Sequence, residues 1–498
     1  MKRLPILILC LMAWAGYAAA QSYTSEDQWK IYDAFNDALL DKTRNIYKAD
    51  TKQPSADHRG NGFRDNDVSG CAAAIWCQAI YYDMVINAYN RAKLEGDEAR
   101  MKKYKSLHDK IFAGEKTHYV NFDFHNPNTN NGWFVYDDIM WWTCALARAY
   151  ETFSPTSTTA KQYLNYSEKS FCRVWYGSSK VGDDGSYADP ERFPGSHVVK
   201  KDGVSITVPW GGGMFWEWQP IAKANPHKAG DFRSACINFP TVIAACTLHR
   251  LVPEGRTAPT ATYPTQQTKE WYLEKAKEIY AWADNALVTA SGRVADGIHG
   301  GDAGFSDHLY NQATYIGASV LLYQITGEQI YLTKARKGAD YVISNMCKNG
   351  GYLNYETGYE QGVYAAIYAQ YIRQLVYECG LSLSYTKKYL AHIQKNLEKG
   401  FTNMDKTRLI QSGNFAKPTS ETDVVESYGG SALPALMLMF PAEDDATAIR
   451  ETQDRAYDGP ADVYSADGQL VMKNATLEQV HQLDSGLYIF QRKKIFVK

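Results

Sequence analysis

Two kinds of helical segment alternate along most of the chain. One kind is amphipathic and rich in Lys and Ala, whereas the other carries Ala, Gly, Ser, Tyr and Trp on nearly all faces, as buried helices do. With an opening amphipathic helix at 27–45, there are six segments of each kind. The predicted buried helices span 70–91, 134–153, 231–251, 312–326, 360–379 and 424–440. We therefore predict an all-α fold, an (α/α)6 barrel in which the buried helices form the inner ring.

A repeated dipeptide supports this alternation. Tyr-Leu opens amphipathic segments at Tyr163, Tyr272, Tyr331 and Tyr389, and Tyr104 opens a weaker copy. Neighbouring tyrosines in this series are 58 or 59 residues apart, except for one interval that contains a long insertion. Regular spacing of this kind is typical of a repeat architecture.

The connections between the segments differ in length according to their direction. Links from a buried helix to the next amphipathic helix are mostly short, such as Gly327-Glu328, whereas the opposite links are long. The long connections lie at 46–69, 114–133, 178–230, 291–311, 347–359 and 406–423. All of them are predicted to gather at one end of the barrel. Long connections are usually functional, so we expect the active site at that end.

The chain changes character after residue 440. We predict a polar linker at 441–460 and a small C-terminal β-module at 461–498, because short apolar strand-like runs occur there. The module resembles the C-terminal sorting domains of the type IX (Por) secretion system, through Val463-Tyr464-Ser465-Ala466-Asp467-Gly468 and Gly486-Leu487-Tyr488-Ile489. A plain β-appendage is the alternative.

The first residues predict a secretory signal peptide at 1–20, followed by the barrel domain at 21–440. Lys2 and Arg3 precede an apolar run, and Ala18-Ala19-Ala20 supplies small residues for cleavage. Cys10 would suit a lipoprotein anchor, but it lies in the middle of the apolar run. No later stretch is long and apolar enough to predict a transmembrane segment. We expect a secreted protein, in the periplasm or on the surface of a Gram-negative bacterium.

Composition limits the classes of partner. The formal net charge is −2, so no basic excess is available for a phosphate backbone, and we expect no nucleic-acid partner. Most of the cysteines lie inside apolar helical patterns, where a free cysteine behaves as a small hydrophobe. We expect free thiols, no metal, no cofactor and a monomer. The 12 Trp and 36 Tyr suit either a large aromatic core or a carbohydrate site.

Asp137 and Asp138 are the strongest candidates for chemistry. They open a predicted buried helix in Tyr136-Asp137-Asp138-Ile139-Met140-Trp141-Trp142. Adjacent carboxylates in an apolar helix are costly unless they are solvated or used, and repulsion between close like charges separates their pKa values. One ionised and one protonated carboxyl is the arrangement that glycoside hydrolysis requires. The alternative is that both are first-turn acids that complement the helix dipole.

Aromatic, glycine and amide residues near the long connections are candidates for substrate binding. They are Trp76, Tyr136, Trp141, Trp142, Gly211, Gly212, Gly213, Trp216, Asn238, Asp296, Tyr310 and Asn311. The glycine triplet would let the backbone approach a ligand closely, and no lysine follows it in the register of a phosphate loop. Capping and loop hydrogen bonds are the alternative, which we favour for Asp302 and Asp307. The segment 65–70 resembles the start of a calcium loop, but Trp76 stands where such loops need Glu.

Asp137-Asp138-Ile139-Met140-Trp141-Trp142 resembles the DDxxWW motif of glycoside hydrolase family 76. Further agreement comes, in the family's order, from the glycine triplet, Asn238, Tyr310-Asn311-Gln312 and Tyr323-Gln324-Ile325-Thr326-Gly327, within residues 25–440. The resemblance implies an (α/α)6-barrel endo-α-1,6-mannanase that acts on α-1,6-linked mannan or manno-oligosaccharide. It further implies a retaining reaction, with Asp137 as the nucleophile and Asp138 as the general acid/base. Trp210 and Ala313 replace a Cys and a Gly that are frequent in the family, which affects subsite preference.

Three other functions are compatible with these residues. A transglycosidase of the same family would use the same carboxylates and pass mannosyl chains to a sugar acceptor. A mannan-binding protein without catalysis would not need both carboxylates, and both are present. An unrelated (α/α)6 enzyme, such as an epimerase or an unsaturated uronyl hydrolase, is the third alternative. An epimerase would require a histidine pair, for which His299 and His308 are the candidates.

We predict that the native protein begins at Gln21, because signal peptidase cuts after small residues such as Ala20. N-terminal sequencing of protein isolated from its own host checks this, and an intact Met1 would contradict it. Deletion of residues 460–498 should prevent delivery to the cell surface. Unchanged delivery would show that the tail has no sorting role.

Overall fold

The computed structural model is mostly helical, as predicted, with small sheets in the connections and in the tail. It describes residues 22–56, 72–123, 136–153, 158–179, 184–216, 232–299, 301–348, 350–356, 361–442 and parts of 461–497. The predicted signal peptide, nearly all of the predicted linker and the calcium-like segment 65–70 lie outside these residues.

The helices are numbered in chain order. They are α1 (Ser25–Leu39), α2 (Ile75–Glu95), α3 (Glu98–His118), α4 (Tyr136–Phe153), α5 (Thr158–Tyr176), α6 (Ala235–Leu251), α7 (Lys269–Leu287), α8 (Leu309–Thr326), α9 (Gln329–Asn345), α10 (Tyr364–Glu378), α11 (Leu383–Thr402), α12 (Ser427–Gly430) and α13 (Ala432–Met439). The even-numbered helices and α13 are the predicted buried ones, and the other odd-numbered helices are amphipathic.

The difference between the two kinds of helix is visible in their burial. In α8 every residue from Asn311 to Tyr323 is buried, whereas α11 buries only one stripe of six residues along its length. Each buried helix packs on the next buried helix along the chain, and α13 packs on both α10 and α2. Each amphipathic helix packs on a buried one, with α1 against α13. Apolar residues on all faces of a helix therefore predicted correctly which helices are surrounded by others.

The bounds of the first amphipathic helix and of the last buried helix differ from the prediction. The opening helix was predicted to reach residue 45, but it ends at Leu39, and Leu40–Asp41 pairs with Ile46–Tyr47 as strands β1 and β2. The last buried segment is divided into α12 and α13 at Ser431, whose hydroxyl donates to the Tyr428 carbonyl at 2.7 Å. A hydroxyl that bonds the preceding turn competes with regular helix geometry.

The links from α2 to α3 and from α8 to α9 each end one helix and begin the next through two residues. After α2, Gly96 takes a left-handed conformation with φ of 72°, and the Asp97 carboxylate accepts from the Arg100 backbone N–H to begin α3. Gly327 ends α8 in the same way with φ of 74°. Glycine adopts this conformation without the strain that a side chain would bring.

Hydrogen bonds join neighbouring long connections to one another or to the start of the adjacent buried helix. They run from Ser427 N to Ala49 O, from Tyr136 N to Trp216 O, from Ala235 N to Asp296 O and from Leu309 N to the Glu356 carboxylate, all at 2.8–2.9 Å. The connections that begin these buried helices therefore lie at the same end, which we call the mouth, as the sequence predicted.

The opposite end is built from the last turns of the buried helices. A polar cavity of about 220 Å³ lies there, with residues from each of these helices or their ends in its lining: Leu94, Glu151, Arg250, Gln324, Glu378 and Pro441. Gln28 of α1 is fully buried nearby, where its side-chain amide donates to Phe440 O at 3.0 Å and accepts from Ala442 N at 3.1 Å. The first and last helices of this part of the chain are thus held together at the far end.

Small antiparallel sheets occupy the connections and the tail. Within the long insertion, β3 (Ser196–Lys201) and β4 (Val204–Pro209) form a hairpin. At the mouth, β5 (Phe232–Ser234), β6 (Gly297–His299) and β7 (Ala303–Gly304) form a three-stranded sheet, and β8 (Cys347–Lys348) pairs with β9 (Tyr352–Leu353). The strand-like runs of the tail form β10 (Ala461–Ser465), β11 (Leu470–Ala475), β12 (Gly486–Phe490) and β13 (Lys493–Val497), in the order β11-β10-β12-β13.

Candidate active site

The two consecutive aspartates lie in the first turn of α4, at the mouth. The helix begins at Tyr136, whose backbone N–H donates to the carbonyl of Trp216 from the long insertion at 2.8 Å. Asp137 is partly exposed, and its Oδ1 accepts from the Asp138 backbone N–H at 3.1 Å. Asp138 is 5% exposed. The partial positive charge of a helix N-terminus stabilises negative side chains in this first turn.

Four aromatic rings from four buried helices lie together near these carboxylates, and we call them the aromatic wall: Trp76 of α2, Trp141 of α4, Tyr310 of α8 and Tyr364 of α10. The Trp76 ring centre is 5.8 Å from that of Trp141, 6.4 Å from Tyr310 and 6.2 Å from Tyr364. The two tyrosine rings are 4.1 Å apart. Large rings grouped beside paired carboxylates are suited to hold the apolar faces of sugar rings.

Trp142 has a different place from the one we predicted for it. It is fully buried, and its indole N–H donates to the Ile75 carbonyl at 2.9 Å. Its ring packs between Tyr82 and Phe122, with ring centres 5.7 and 5.0 Å away. This tryptophan holds α4 against the start of α2 and offers no face to a sugar, because it is fully buried between its neighbours.

Asp296 and Asn311 form a polar pair at the mouth. The Asn311 amide donates to Asp296 Oδ1 at 3.0 Å, and Asn311 is 1% exposed. The backbone of Asp296 is fixed on both sides, because its N–H donates to Gly304 O at 2.7 Å and its carbonyl accepts from Ala235 N at 2.9 Å. The pair joins the start of α8 to the sheet that precedes α6, and carboxylate and amide oxygens are acceptors for hydroxyl groups.

The glycine triplet packs against other parts of the protein. This differs from our prediction that it lets the backbone approach a ligand. A Cβ on Gly212 would lie 2.8 Å from the Trp282 ring of α7, and one on Gly213 would lie closer still. A Cβ on Gly211 would overlap Pro190. Gly212 and Gly213 also have positive φ, 86° and 73°. The glycines therefore let the long insertion pack against the barrel, and their missing side chains face Trp282 and Pro190 and not a ligand.

Asn238 also has a structural position. It is fully buried, and its side-chain amide accepts from Met214 N at 2.9 Å and donates to Met214 O and Ser234 O at 3.2 and 2.7 Å. Both N–H groups of the amide are used in these hydrogen bonds, and full burial keeps its oxygen out of reach of a sugar. Its role is to hold the segment after the glycine triplet against α6. Trp216 lies in that segment and contacts the first turn of α4.

Three residues at the mouth do not belong to any motif of the sequence. Tyr364 belongs to the aromatic wall, Glu356 binds His308, and Cys236 lies at the start of α6, where burial and next the charge of Asp137 raise its pKa. The signal for Glu356 was only its place in a predicted long connection. Tyr364 and Cys236 stand among apolar residues at the start of buried helices, where the pattern does not distinguish a wall residue from a core residue.

His308 and Glu356 form a partly buried ion pair between two connections. The imidazole Nδ1 is 2.9 Å from Glu356 Oε2, and Glu356 Oε1 accepts from Leu309 N at 2.9 Å. Burial lowers the pKa of His308, but the hydrogen bond to Glu356 and the charges of Asp296, Glu356 and Asp307 outweigh it, so the pKa is raised. Burial raises the pKa of Glu356, and the hydrogen bond to His308 opposes this.

Other residues weighed in the sequence have structural contacts. Asp307 binds the Arg293 guanidinium at 2.7 and 2.8 Å, and Asp302 accepts from Lys200 N at 3.1 Å, as we favoured for both. The cysteines of the described ranges are free thiols, as expected. In the same ranges no cluster of His, Cys, Asp or Glu is suited to hold a metal ion, and no helix is apolar over the length needed to cross a bilayer.

A protein-family model and several solved structures match this chain. A protein-family model, glycosyl hydrolase family 76, matches residues 32–181 and 207–411. An inactive variant of the α-1,6-mannanase of Salegentibacter sp. HEL1_6, solved with α-1,6-mannotetrose, is 22% identical, with 83% of this chain and 98% of that chain covered and a TM-score of 0.60. No curated protein matches the chain.

Two further solved structures share the fold. The Lin0763 protein from Listeria innocua is 20% identical, with 86% of this chain and 98% of that chain covered and a TM-score of 0.61. A family 76 glycoside hydrolase (mannosidase) from Bacteroides thetaiotaomicron VPI-5482 is 15% identical, with 86% and 99% covered and a TM-score of 0.58.

Replacement of Gly213 by Ala should destabilise the protein by about 2–4 kcal/mol, because overlap with Trp282 adds to backbone strain. Gly255→Ala is the matched control, since Gly255 has φ of 71° but open space around its Cβ position. We expect a smaller loss there, about 1–2 kcal/mol, from strain alone. Thermal denaturation of both variants beside the wild type measures the difference, and equal losses would contradict the packing role of Gly213.

Glu356→Gln should lower the pKa of His308, because it removes the carboxylate that holds the imidazolium. A histidine whose pKa is raised on folding contributes stability below its ordinary pKa, and that contribution is lost as the pH rises through the raised value. Titration of the imidazole C–H resonances by NMR follows the change. His392, whose pKa burial lowers to about 4, is the internal control and should titrate unchanged. An unchanged His308 curve would contradict the pairing.

Proposed function

The chain belongs to glycosyl hydrolase family 76 and is a glycoside hydrolase, and we propose that it hydrolyses α-1,6-mannosidic linkages of mannan. The observation that carries this proposal is the placement of Asp137 and Asp138 in the first turn of a buried helix, beside the aromatic wall. The α-1,6-mannanase of similar fold was solved with an α-1,6-linked mannooligosaccharide, which supports the choice of linkage.

In the proposed reaction Asp137 is the nucleophile and Asp138 the general acid/base, roles implied by the family resemblance. Asp137 attacks the anomeric carbon while Asp138 gives its proton to the leaving oxygen. Asp138 then takes a proton from water, which releases the sugar from Asp137. Retention needs carboxyl groups about 5–5.5 Å apart. Adjacent helical residues point roughly 100° apart, which allows that separation.

The aromatic wall and the polar pair have complementary parts in the proposed binding of mannan. Trp76, Trp141, Tyr310 and Tyr364 present ring surface to the apolar faces of mannose units. Asp296 and Asn311 offer oxygen acceptors to hydroxyl groups at the same end. Endo action on internal linkages remains our prediction for this chain, on the strength of the family resemblance.

We further propose how the fold is completed and where the enzyme acts. The succession of contacts from α2 through α13 and back supports a closed (α/α)6 barrel. The predicted signal peptide and the sorting-domain resemblance of the tail support secretion to the periplasm or cell surface of a Gram-negative bacterium. There the enzyme would act as a monomer without a cofactor.

A mannosyl transglycosidase of the same family is the alternative closest to this proposal, because it would use the same two carboxylates. Addition of a mannose acceptor to the reaction distinguishes the two activities: longer products indicate transfer, and free reducing ends in proportion to cleavage indicate hydrolysis. A protein that only binds mannan would produce neither.

With linear α-1,6-mannan we expect steady cleavage by the wild type and a loss of at least a thousandfold in Asp137→Asn, about 4 kcal/mol in the barrier. Asp138→Asn should also be severe, but less so with good leaving groups, which need little protonation. Asp302→Asn is the control, because this exposed carboxylate accepts a hydrogen bond from Lys200 N in the long insertion. Chromatographic sizing of products over time measures all four proteins.

The stereochemistry gives an independent test. NMR of the first product, before mutarotation, should show the α-anomer, because two displacements restore the original configuration. Initial release of the β-anomer would reject retention. Near wild-type turnover in Asp137→Asn would remove this residue as the nucleophile.

A further inference from the structure

A largely buried network of four side chains joins three of the helices that carry the aromatic wall. Asp83 and Asn87 belong to α2, Arg148 belongs to α4 and Gln370 belongs to α10. The Arg148 guanidinium is 2.8 Å from Asp83 Oδ2, and it donates to Asn87 Oδ1 at 2.6 Å. The Gln370 amide, oriented so that its oxygen faces the guanidinium, accepts from it at 3.2 and 3.3 Å. One cation is therefore shared by all three helices.

The network lies two helical turns from the wall, towards the far end, on the same faces of the helices. Asp83 follows Trp76 by seven residues, and Arg148 follows Trp141 by seven residues. Seven residues advance an α-helix by about 10.5 Å and return it to within roughly 20° of the same face. The ion pair therefore lies beneath the two tryptophan rings, on the same side of α2 and α4.

A small cavity shows how little separates the wall from the network. It has a volume of about 20 Å³ and is lined by Trp141 from the wall, Asp83 from the network and Tyr371 of α10. Tyr371 is seven residues after Tyr364, which is the wall residue of its helix. The fourth wall helix, α8, has Gly317 at the corresponding position, and a Cβ there would overlap the Tyr371 ring. All four helices thus have matched residues in this second layer.

The ion pair is costly for a contact that only holds helices together. Removal of either charge from water carries a penalty that their attraction only partly repays, and an apolar pair of similar volume is often as stable. Burial accordingly raises the pKa of Asp83, although the charge and hydrogen bond of Arg148 oppose the rise. The network supplies a fixed direction that apolar side chains do not, because a planar guanidinium donates only along its N–H bonds.

We propose that Asp83 and Arg148 are positioning residues for substrate binding: their ion pair fixes α2 against α4 and thereby sets the spacing of the two tryptophan rings of the aromatic wall. The proposal rests on the proposed function, in which these rings hold mannose units. Helix α2 supplies Trp76 but neither candidate carboxylate. A change in its position should therefore weaken substrate binding and leave the chemical step nearly intact.

The test replaces the ion pair with an apolar pair, Asp83→Leu/Arg148→Met, and measures the hydrolysis of linear α-1,6-mannan. KM should rise about tenfold, within the range of coupling between contacting residues, while kcat stays within about twofold. The free energy of unfolding should change little, because the two charges are removed together. Asp284→Ala is the matched control, since it removes an ion pair of the same 2.8 Å length with Lys334, between α7 and α9. It should lower stability and leave KM in place.

A double-mutant cycle shows whether the ion pair acts through Trp76. Trp76→Ala should raise KM by itself, and the apolar pair should add less than about twofold in that background. A purely structural role predicts instead that the two effects on KM multiply. If the apolar pair does not fold, Asp83→Asn, which keeps the shape of the side chain, takes its place in the same cycle.

An unchanged KM in the apolar-pair variant, or independent effects in the cycle, would overturn the proposal. A crystal structure of this variant gives a second measurement that needs no activity. The ring centres of Trp76 and Trp141, which are 5.8 Å apart in the wild type, should move relative to each other, and an unchanged pair of rings would reject the positioning role. A wild type with no activity on mannan would instead reject the proposed function.

Discussion

A helix that is surrounded by other helices can carry polar side chains away from its ends only where they pair with one another, as Asp83 and Arg148 do at 2.8 Å, and this constraint organises the inner ring. The buried helices carry Ala, Tyr, Trp and branched residues on all faces because each face meets a neighbour. Their first turns leave backbone N–H groups without partners inside the helix, and these must be satisfied by the connections that enter there. Glu356, which accepts from Leu309 N, is one such partner. The candidate catalytic carboxylates lie at the mouth, because the rest of the inner ring has no room for unpaired polarity.

The sequence was sufficient for those features that depend on one helix at a time. Burial on all faces identified the inner helices, and the sequence placed Asp137 and Asp138 at the start of one of them, where the structure has them. The sequence does not predict the position of a side chain whose contacts come from a distant part of the chain. Trp142 and Trp141 are neighbours in one motif, yet only the contact of Trp142 with Ile75 shows that it is a core residue. The packing of Gly213 likewise depends on Trp282, which lies in α7.

The candidate site is assembled from distant segments that the fold brings together. The residues that hold these segments in place also come from distant parts of the chain. Asn238 ties the long insertion to α6, and the insertion caps the start of α4 through the carbonyl of Trp216. A change in any of these contacts would alter the orientation of a carboxylate that it does not touch. This explains why glycines and a buried amide recur among residues that the sequence placed in the site.

Gln28 has a consequence for the topology of the molecule. Its amide binds the backbone on both sides of Pro441, so the beginning of α1 and the end of α13 are neighbours at the end opposite the mouth. The helical domain is therefore suited to circular permutation: residues near 22 and 442 can be joined, and new termini opened at an exposed short link such as Gly327-Glu328. Any segment fused before α1 or after α13 leaves from the far end. A tether attached there would leave the mouth free for a long polysaccharide.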